Sequence, residues 1–166
     1  MSLLVLGVSH RTAPMSVLDA FAFDAPAVEQ LRSRVCAGEY VMGVVVLATC
    51  NRVEIIADVS GFHGGLADLG SALVDMTCFD WKELAGHLFV RYETEAYEHL
   101  FELTAGLDSM AIGEAQILGQ VRTALNEART AGTLTGDLER AVSRALEIGK
   151  RAHTCLLYTS PSPRDS

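Results

Sequence analysis

Thr49-Cys50-Asn51-Arg52 puts a hydroxyl, a thiol, an amide and a guanidinium on consecutive residues between two apolar runs. A free thiol, with a reference pKa of about 8.5, is only a few per cent thiolate near neutrality, so a cysteine that attacks an acyl carbon needs a cation or donors beside it. Arg52 is such a cation. The same thiol also suits a duller role as a small, inert residue at a strand end. His99, within Tyr97-Glu98-His99-Leu100-Phe101, has the side chain best suited to moving a proton near neutral pH, yet its apolar neighbours equally suit a packed, hydrogen-bonded histidine. Gln116 and Gln120 are four apart and so share one helical face.

These side chains need rigid elements to hold them. Residues 3–8 and 41–48 read as buried strands, and residues 52–58 as a second strand paired around the quartet. Asp24 with Pro26 signals a helix start, and Val28, Leu31 and Val35 then recur on one face. A glycine turn at residues 61–65, a helix through Leu66, Leu69, Leu73 and Val74, and a strand at residues 87–92 complete a β-α-β-β-α-β order. That order predicts an α+β fold, a ferredoxin-like sheet, and the helical pattern from Glu95 to Arg151 adds a helical bundle beside it. The breaks in that pattern fall at residues 106–113 and 132–136.

The 166 residues, 49% hydrophobic and 20% charged, suit one soluble globular domain. No apolar run approaches a membrane span, and a cytoplasmic location with no membrane partner is expected. Cys36, Cys50, Cys78 and Cys155 form no CxxC pair and have no histidine at zinc-finger spacing, so reduced thiols and no metal are expected. The net charge is −8 and uneven: residues 1–114 hold 6 basic and 16 acidic side chains, whereas residues 115–155 hold 6 and 4. Charge alone does not suggest RNA as a partner. Any phosphate contact belongs to the later helices, where Arg122, Arg129, Arg140, Arg144 and Arg151 are clustered, although such stripes are ordinarily solvated faces. No G-x-G-x-x-G occurs, so a dinucleotide cradle is not expected in this chain.

Three blocks of sequence resemble the signatures of the glutamyl-tRNA reductase family, in its order and spacing. They are Gly7-Val8-Ser9-His10-Arg11-Thr12-Ala13-Pro14, Thr49-Cys50-Asn51-Arg52-Val53-Glu54, and Gly106-Leu107-Asp108-Ser109-Met110-Ala111-Ile112-Gly113-Glu114-Ala115-Gln116-Ile117-Leu118-Gly119-Gln120. The likeness runs to about Thr154 and corresponds to the family's N-terminal catalytic domain; Ala115 departs from the proline many members carry. The resemblance implies that Cys50 is the nucleophile, attacking the glutamyl ester of tRNA to leave a thioester that NADPH reduces to glutamate-1-semialdehyde, the first step of five-carbon tetrapyrrole biosynthesis. It implies that His99 is a catalytic residue. Arg52 then matches the substrate carboxylate, Glu114 its ammonium, and Thr49, Asn51, Ser109, Ala115, Gln116 and Gln120 the remaining substrate positions. His10 either lines the same cleft or holds the turn, while His63, His87 and His153 are surface or structural residues.

The family continues into NADPH-binding and dimerisation domains, which residues 155–166 do not resemble. That Ser/Pro-rich end is expected to be a foreign or truncated tail, disordered after Tyr158. By the same resemblance the intact enzyme is a homodimer that contacts glutamate-1-semialdehyde aminotransferase. Two other classes fit the residues: a cysteine-dependent thioesterase or acyltransferase, and a noncatalytic ferredoxin-like binding module.

Overall fold

The nearly unbroken apolar runs along the strands call for a sheet covered on both faces. The computed structural model describes residues 1–107 and 116–159, with side chains as far as Cys155. Strands β1 (Ser2–Ser9), β2 (Val41–Ala48), β3 (Arg52–Val59) and β4 (Phe89–Tyr92) form one antiparallel sheet in the order β2-β3-β1-β4. Among the described residues the helices are α1 (Met15–Leu18), α2 (Ala25–Cys36), α3 (Phe62–Met76), α4 (Trp81–Ala85), α5 (Thr94–Thr104), α6 (Gln116–Ala131) and α7 (Gly136–Thr159). With α2 and α3 as the two crossovers, this is the ferredoxin-like arrangement expected from the sequence.

The two sides of each strand feed two separate cores. Leu4, Leu6, Val8, Val44, Val46, Val53 and Ile55 pack with Leu31 and Val35 of α2 and Leu69 and Leu73 of α3. Leu3, Val5, Val45, Leu47 and Ile56 point the other way, onto Leu100 of α5, Val121 and Leu125 of α6, and Leu138 and Val142 of α7. The expected bundle is therefore the sheet's second cover. This explains why β2 reads as a nearly unbroken apolar run: both of its faces are buried.

Local signals account for most boundaries. Asp24 caps α2, its Oδ1 accepting from the N–H of Ala27 at 2.9 Å, and Asp80 caps α4 in the same way toward Glu83 at 2.8 Å. The expected turn at residues 61–65 differs: α3 begins at Phe62, so Gly64 and Gly65 are helical. A Cβ at Gly64 would lie 2.4 Å from the Tyr40 ring, and one at Gly65 2.7 Å from Val59. These glycines serve close helix–strand packing, a need that a sequence cannot distinguish from a turn. The short α1 and α4 carry too few periodic residues to be read in advance. Helix α7 continues beyond residue 154 to Thr159, while the tail expected to be disordered lies almost wholly outside the described residues.

Candidate active site

Cys50 is exposed at the tip of the tight connection between β2 and β3. The connection is closed by the N–H of Thr49 donating to the carbonyl of Arg52 at 2.9 Å and by the N–H of Asn51 donating to Thr49 Oγ1 at 3.2 Å. The N–H of His10 donates to the Asn51 carbonyl at 3.0 Å, tying the end of β1 to the same turn. Thr49 and Asn51 thus fix the loop that displays the thiol. His10 holds the turn through its backbone, and its Nδ1 is buried with no hydrogen-bond partner.

Behind the thiol runs a buried line of charge. Arg52, Glu54 and His99 are 3%, 0% and 7% exposed. Arg52 donates from Nη1 to Glu54 Oε2 at 2.7 Å, and His99 Nε2 lies 2.5 Å from Glu54 Oε1. Each carboxylate oxygen therefore has its own partner, one from the same strand and one from α5, and such pairing is the condition under which a buried ionised group is tolerable. Burial is the strongest single influence on Glu54 and pushes its carboxyl up. The hydrogen bonds and charges of His99 and Arg52 together outweigh it and hold the carboxyl below the ordinary range. Glu54 is accordingly an anion at neutral pH.

Sheet register creates the space for this line. Gly7 on the central strand β1 stands opposite Glu54 on one side and Phe89 on the other. A Cβ on Gly7 would come within 2.6 Å of the Phe89 ring and 2.9 Å of Glu54 Cγ. The missing side chain lets the Phe89 ring sit 5.1 Å from the His99 ring and lets Glu54 reach the histidine. His99 comes from the buried stripe of α5 formed by Ala96, His99, Leu100, Leu103 and Thr104. It is thus the packed, hydrogen-bonded histidine that its neighbours suggested, with its Nε2 committed to Glu54.

Glu54 is the site residue that sequence reasoning left without a role. The available signal was an acid between Val53 and Ile55 in an apolar strand, two residues from Arg52 and hence on the same side of the strand. Gln116 and Gln120 open α6 and are exposed, both lining a cavity that also reaches Ala48 beside the cysteine turn. Ser109, Glu114 and Ala115 lie outside the described residues.

Of the five arginines singled out for phosphate, three meet acids of their own chain. Arg129 binds Glu139 at 2.6 Å, Arg144 approaches Glu147 at 3.8 Å, and Arg140 pairs with Asp137. His153 is buried, its Nε2 3.1 Å from the Thr104 carbonyl, a structural role as expected. Among the described residues no group of three or more His, Cys, Asp or Glu side chains is arranged to hold a metal, and no helix is long and apolar enough to cross a membrane.

Comparison with known proteins places this geometry in a lineage. Residues 6–156 match the family model described as glutamyl-tRNAGlu reductase, N-terminal domain. The chain is 48% identical over 154 residues to the glutamyl-tRNA reductase of Kineococcus radiotolerans, covering 93% of this chain and 35% of that protein. It is 46% identical over 154 residues to that of Frankia casuarinae, covering 93% of this chain and 33% of the relative. The solved structure of glutamyl-tRNA reductase from Methanopyrus kandleri superposes with a TM-score of 0.75 at 32% identity, over 96% of this chain and 36% of that one. The chain spans about a third of the length of the relatives it matches. A thiol on a β-turn, backed by a buried arginine, glutamate and histidine on a ferredoxin-like sheet, is thus how the N-terminal domain family of glutamyl-tRNA reductases, to which this chain belongs, is built here.

Proposed function

We propose that this chain carries out the acyl-transfer half of glutamyl-tRNA reduction, in the cytoplasm and as part of tetrapyrrole formation. The observation that carries the reading is Cys50, exposed on a turn pinned from both sides by Thr49, Arg52 and His10. The Cys50 thiolate attacks the carbonyl carbon of the glutamyl ester, forming a C–S bond. The ester C–O bond then breaks, the ribose oxygen takes up a proton, and a glutamyl thioester remains on Cys50. A fixed turn favours this step because the nucleophile is held in place before the substrate arrives.

Arg52 anchors the carboxylate of the glutamyl group from the mouth of its pair with Glu54, which fixes the guanidinium plane. His99 relays the proton of this step: with Nε2–H donated to an anionic Glu54, Nδ1 is the acceptor nitrogen, which takes the proton of the Cys50 thiol and then gives it to the departing ribose oxygen. Thr49, Asn51, Gln116 and Gln120 line the approach, and Ser109, Glu114 and Ala115 join them by family resemblance. Homodimerisation and contact with glutamate-1-semialdehyde aminotransferase belong to the same reading on that resemblance alone.

Reduction of the thioester requires a hydride, supplied by NADPH in this family. The described residues do not fit that cofactor: their sheet is antiparallel, and the one glycine-rich strand-to-helix turn among them, Gly61-Phe62-His63-Gly64-Gly65 from β3 into α3, lacks the G-x-G-x-x-G spacing and packs Gly64 and Gly65 against Tyr40 and Val59. Reduction is therefore assigned to the part of its relatives' length that this chain does not span.

Intact-mass analysis after incubation with glutamyl-tRNA tests the reading. The parent chain gains one glutamyl group, mapped to Cys50, and Cys50→Ser gains none while keeping its melting temperature. An adduct on Cys36 or Cys78, or on the serine variant, would refute it. Cys36 is a useful internal control because burial pushes its thiol up, against the opposing pull of Arg32.

A further inference from the structure

Helix α5 delivers His99 to Glu54, yet its apolar contacts do not by themselves fix where along its axis it rests. Ala96, Leu100 and Leu103 pack into the second core, and hydrophobic contact has no preferred direction. The ends of the helix supply what its middle lacks. At the start, the N–H of Glu93 donates to the Leu3 carbonyl of β1 at 2.9 Å. Glu93 holds this position at φ 51°, a backbone conformation that is unfavourable for a residue with a Cβ and persists only where its surroundings impose it.

At the other end, three residues of α7 close on Thr104, the last residue of α5. Thr104 is fully buried, and the carbonyl of a final helical residue has no partner within its own helix. His153 meets that need, donating from Nε2 at 3.1 Å, while Thr104 Oγ1 donates to the Ala145 carbonyl at 2.7 Å. Between them Gly149 lets the helices touch backbone to backbone: a Cβ there would lie 2.5 Å from the Thr104 oxygen. Ala145, Gly149 and His153 recur every four residues and so form one face of α7. An apolar side chain in place of His153 would leave a buried carbonyl unsatisfied.

We infer that His153 is a positioning residue for acyl transfer: its hydrogen bond locks the end of α5 on α7 and so sets where the His99 ring stands against Glu54, an inference that rests on the acyl-transfer reading. Thr104 lies five residues, or about 7.5 Å along the axis, from His99. Over so short a stretch a helix moves as a rod, and a shift at Thr104 reaches His99 undiminished. The pair to be preserved is tight, with His99 Nε2 2.5 Å from Glu54 Oε1. A displacement of about 1 Å would break that bond and redirect Nδ1, the nitrogen that relays the proton.

Single-turnover acylation of Cys50 by glutamyl-tRNA and the NMR signals of the His99 ring test this together. His153→Leu slows acylation by about tenfold at saturating RNA, with an unchanged half-saturation concentration, and shifts the His99 ring signals. Should that variant not fold, His153→Asn, one bond too short to reach the carbonyl, gives the same reading. His153→Gln, whose amide N–H stands where Nε2–H stood, returns both readouts to parental values. Leu73→Ala in the opposite core controls for lost stability and leaves both parental. Parental acylation with an unmoved His99 ring in His153→Leu overturns the inference, as does a glutamine variant no better than leucine or equal slowing in Leu73→Ala. A parent chain that is not acylated sinks the acyl-transfer reading instead; the His99 ring signals, read without RNA, then judge the role of His153 on their own.

Discussion

Glu54 and Ile55 are neighbours on β3 that face opposite sides of the sheet, and both are fully buried. On the side of Ile55, β3 contributes Val53, Ile55, Ala57 and Val59 to a core shared with α2 and α3. On the side of Glu54 it contributes Arg52, Glu54, Ile56 and Asp58, three of them ionisable, beneath α5, α6 and α7. Each buried charge on that side meets a polar partner: Arg52 and His99 on Glu54, and Thr135 Oγ1 donating to Asp58 Oδ2 at 2.6 Å. One face stabilises the sheet by burying hydrocarbon, while the other spends part of its burial on positioning charges behind Cys50. The hydrocarbon face tolerates small volume changes, whereas the polar face depends on every partner being present.

The sharpest way to break this comparison is Glu54→Gln. Removing the charge breaks the buried ion pair with Arg52, a change that costs about 3–5 kcal/mol. Urea denaturation measures it directly, and a loss no larger than that of a conservative core substitution would show that the line of charge is not what holds this face together. The same variant has a pH signature. Because the fold holds the Glu54 carboxyl below its ordinary range, its pairing stabilises the protein fully above the unfolded value of about 4.3 and is lost as pH falls through the lower folded value. Parent and variant stabilities should therefore converge on acidification below about pH 4.3. A gap that stays constant down to acid unfolding would mean that Glu54 is not the ionised partner.

Gly7→Ala tests the space that the polar face requires. Its methyl group would lie 2.6 Å from the Phe89 ring and 2.9 Å from Glu54 Cγ, so about 1–3 kcal/mol of overpacking is expected. The substitution should also displace the His99 ring resonances, whereas a variant with parental stability and an unmoved His99 would show that the site has slack. The smallest effect belongs to the hydrocarbon face. Ile55→Val should cost about 0.5–1.5 kcal/mol and leave Cys50 acylation at the parental rate. Acylation that falls with Ile55→Val as steeply as with Glu54→Gln would erase the distinction between the two faces.

The ferredoxin-like order was legible because it rests on local signals: apolar strands, the Asp24 cap, and breaks near Gly106 and Gly132, both of which have positive φ. Cys50 was legible for a similar reason, since a polar quartet between two apolar strands places its thiol on a turn. The helical state of Gly64 and Gly65 was hidden because its cause is the Tyr40 ring and Val59, which approach from elsewhere in the chain.

The same division separates the rest of the site. Residue types and spacing by themselves determined a thiol on a turn, a nearby cation, a histidine on an amphipathic helix and the family likeness, because each depends on residues close together in the chain. Only the tertiary structure decided that Arg52 and His99 converge on Glu54, since 45 residues separate Glu54 from His99 and the pair meets through Gly7 on a third element. It also decided that, among the described residues, a cavity lined by Ala48 opens at the edge of β2 between two helices that belong to opposite faces of the sheet. A strand edge has no signature in a sequence: whether its peptide groups meet a neighbour depends on which strands flank it, and that is settled when the sheet assembles.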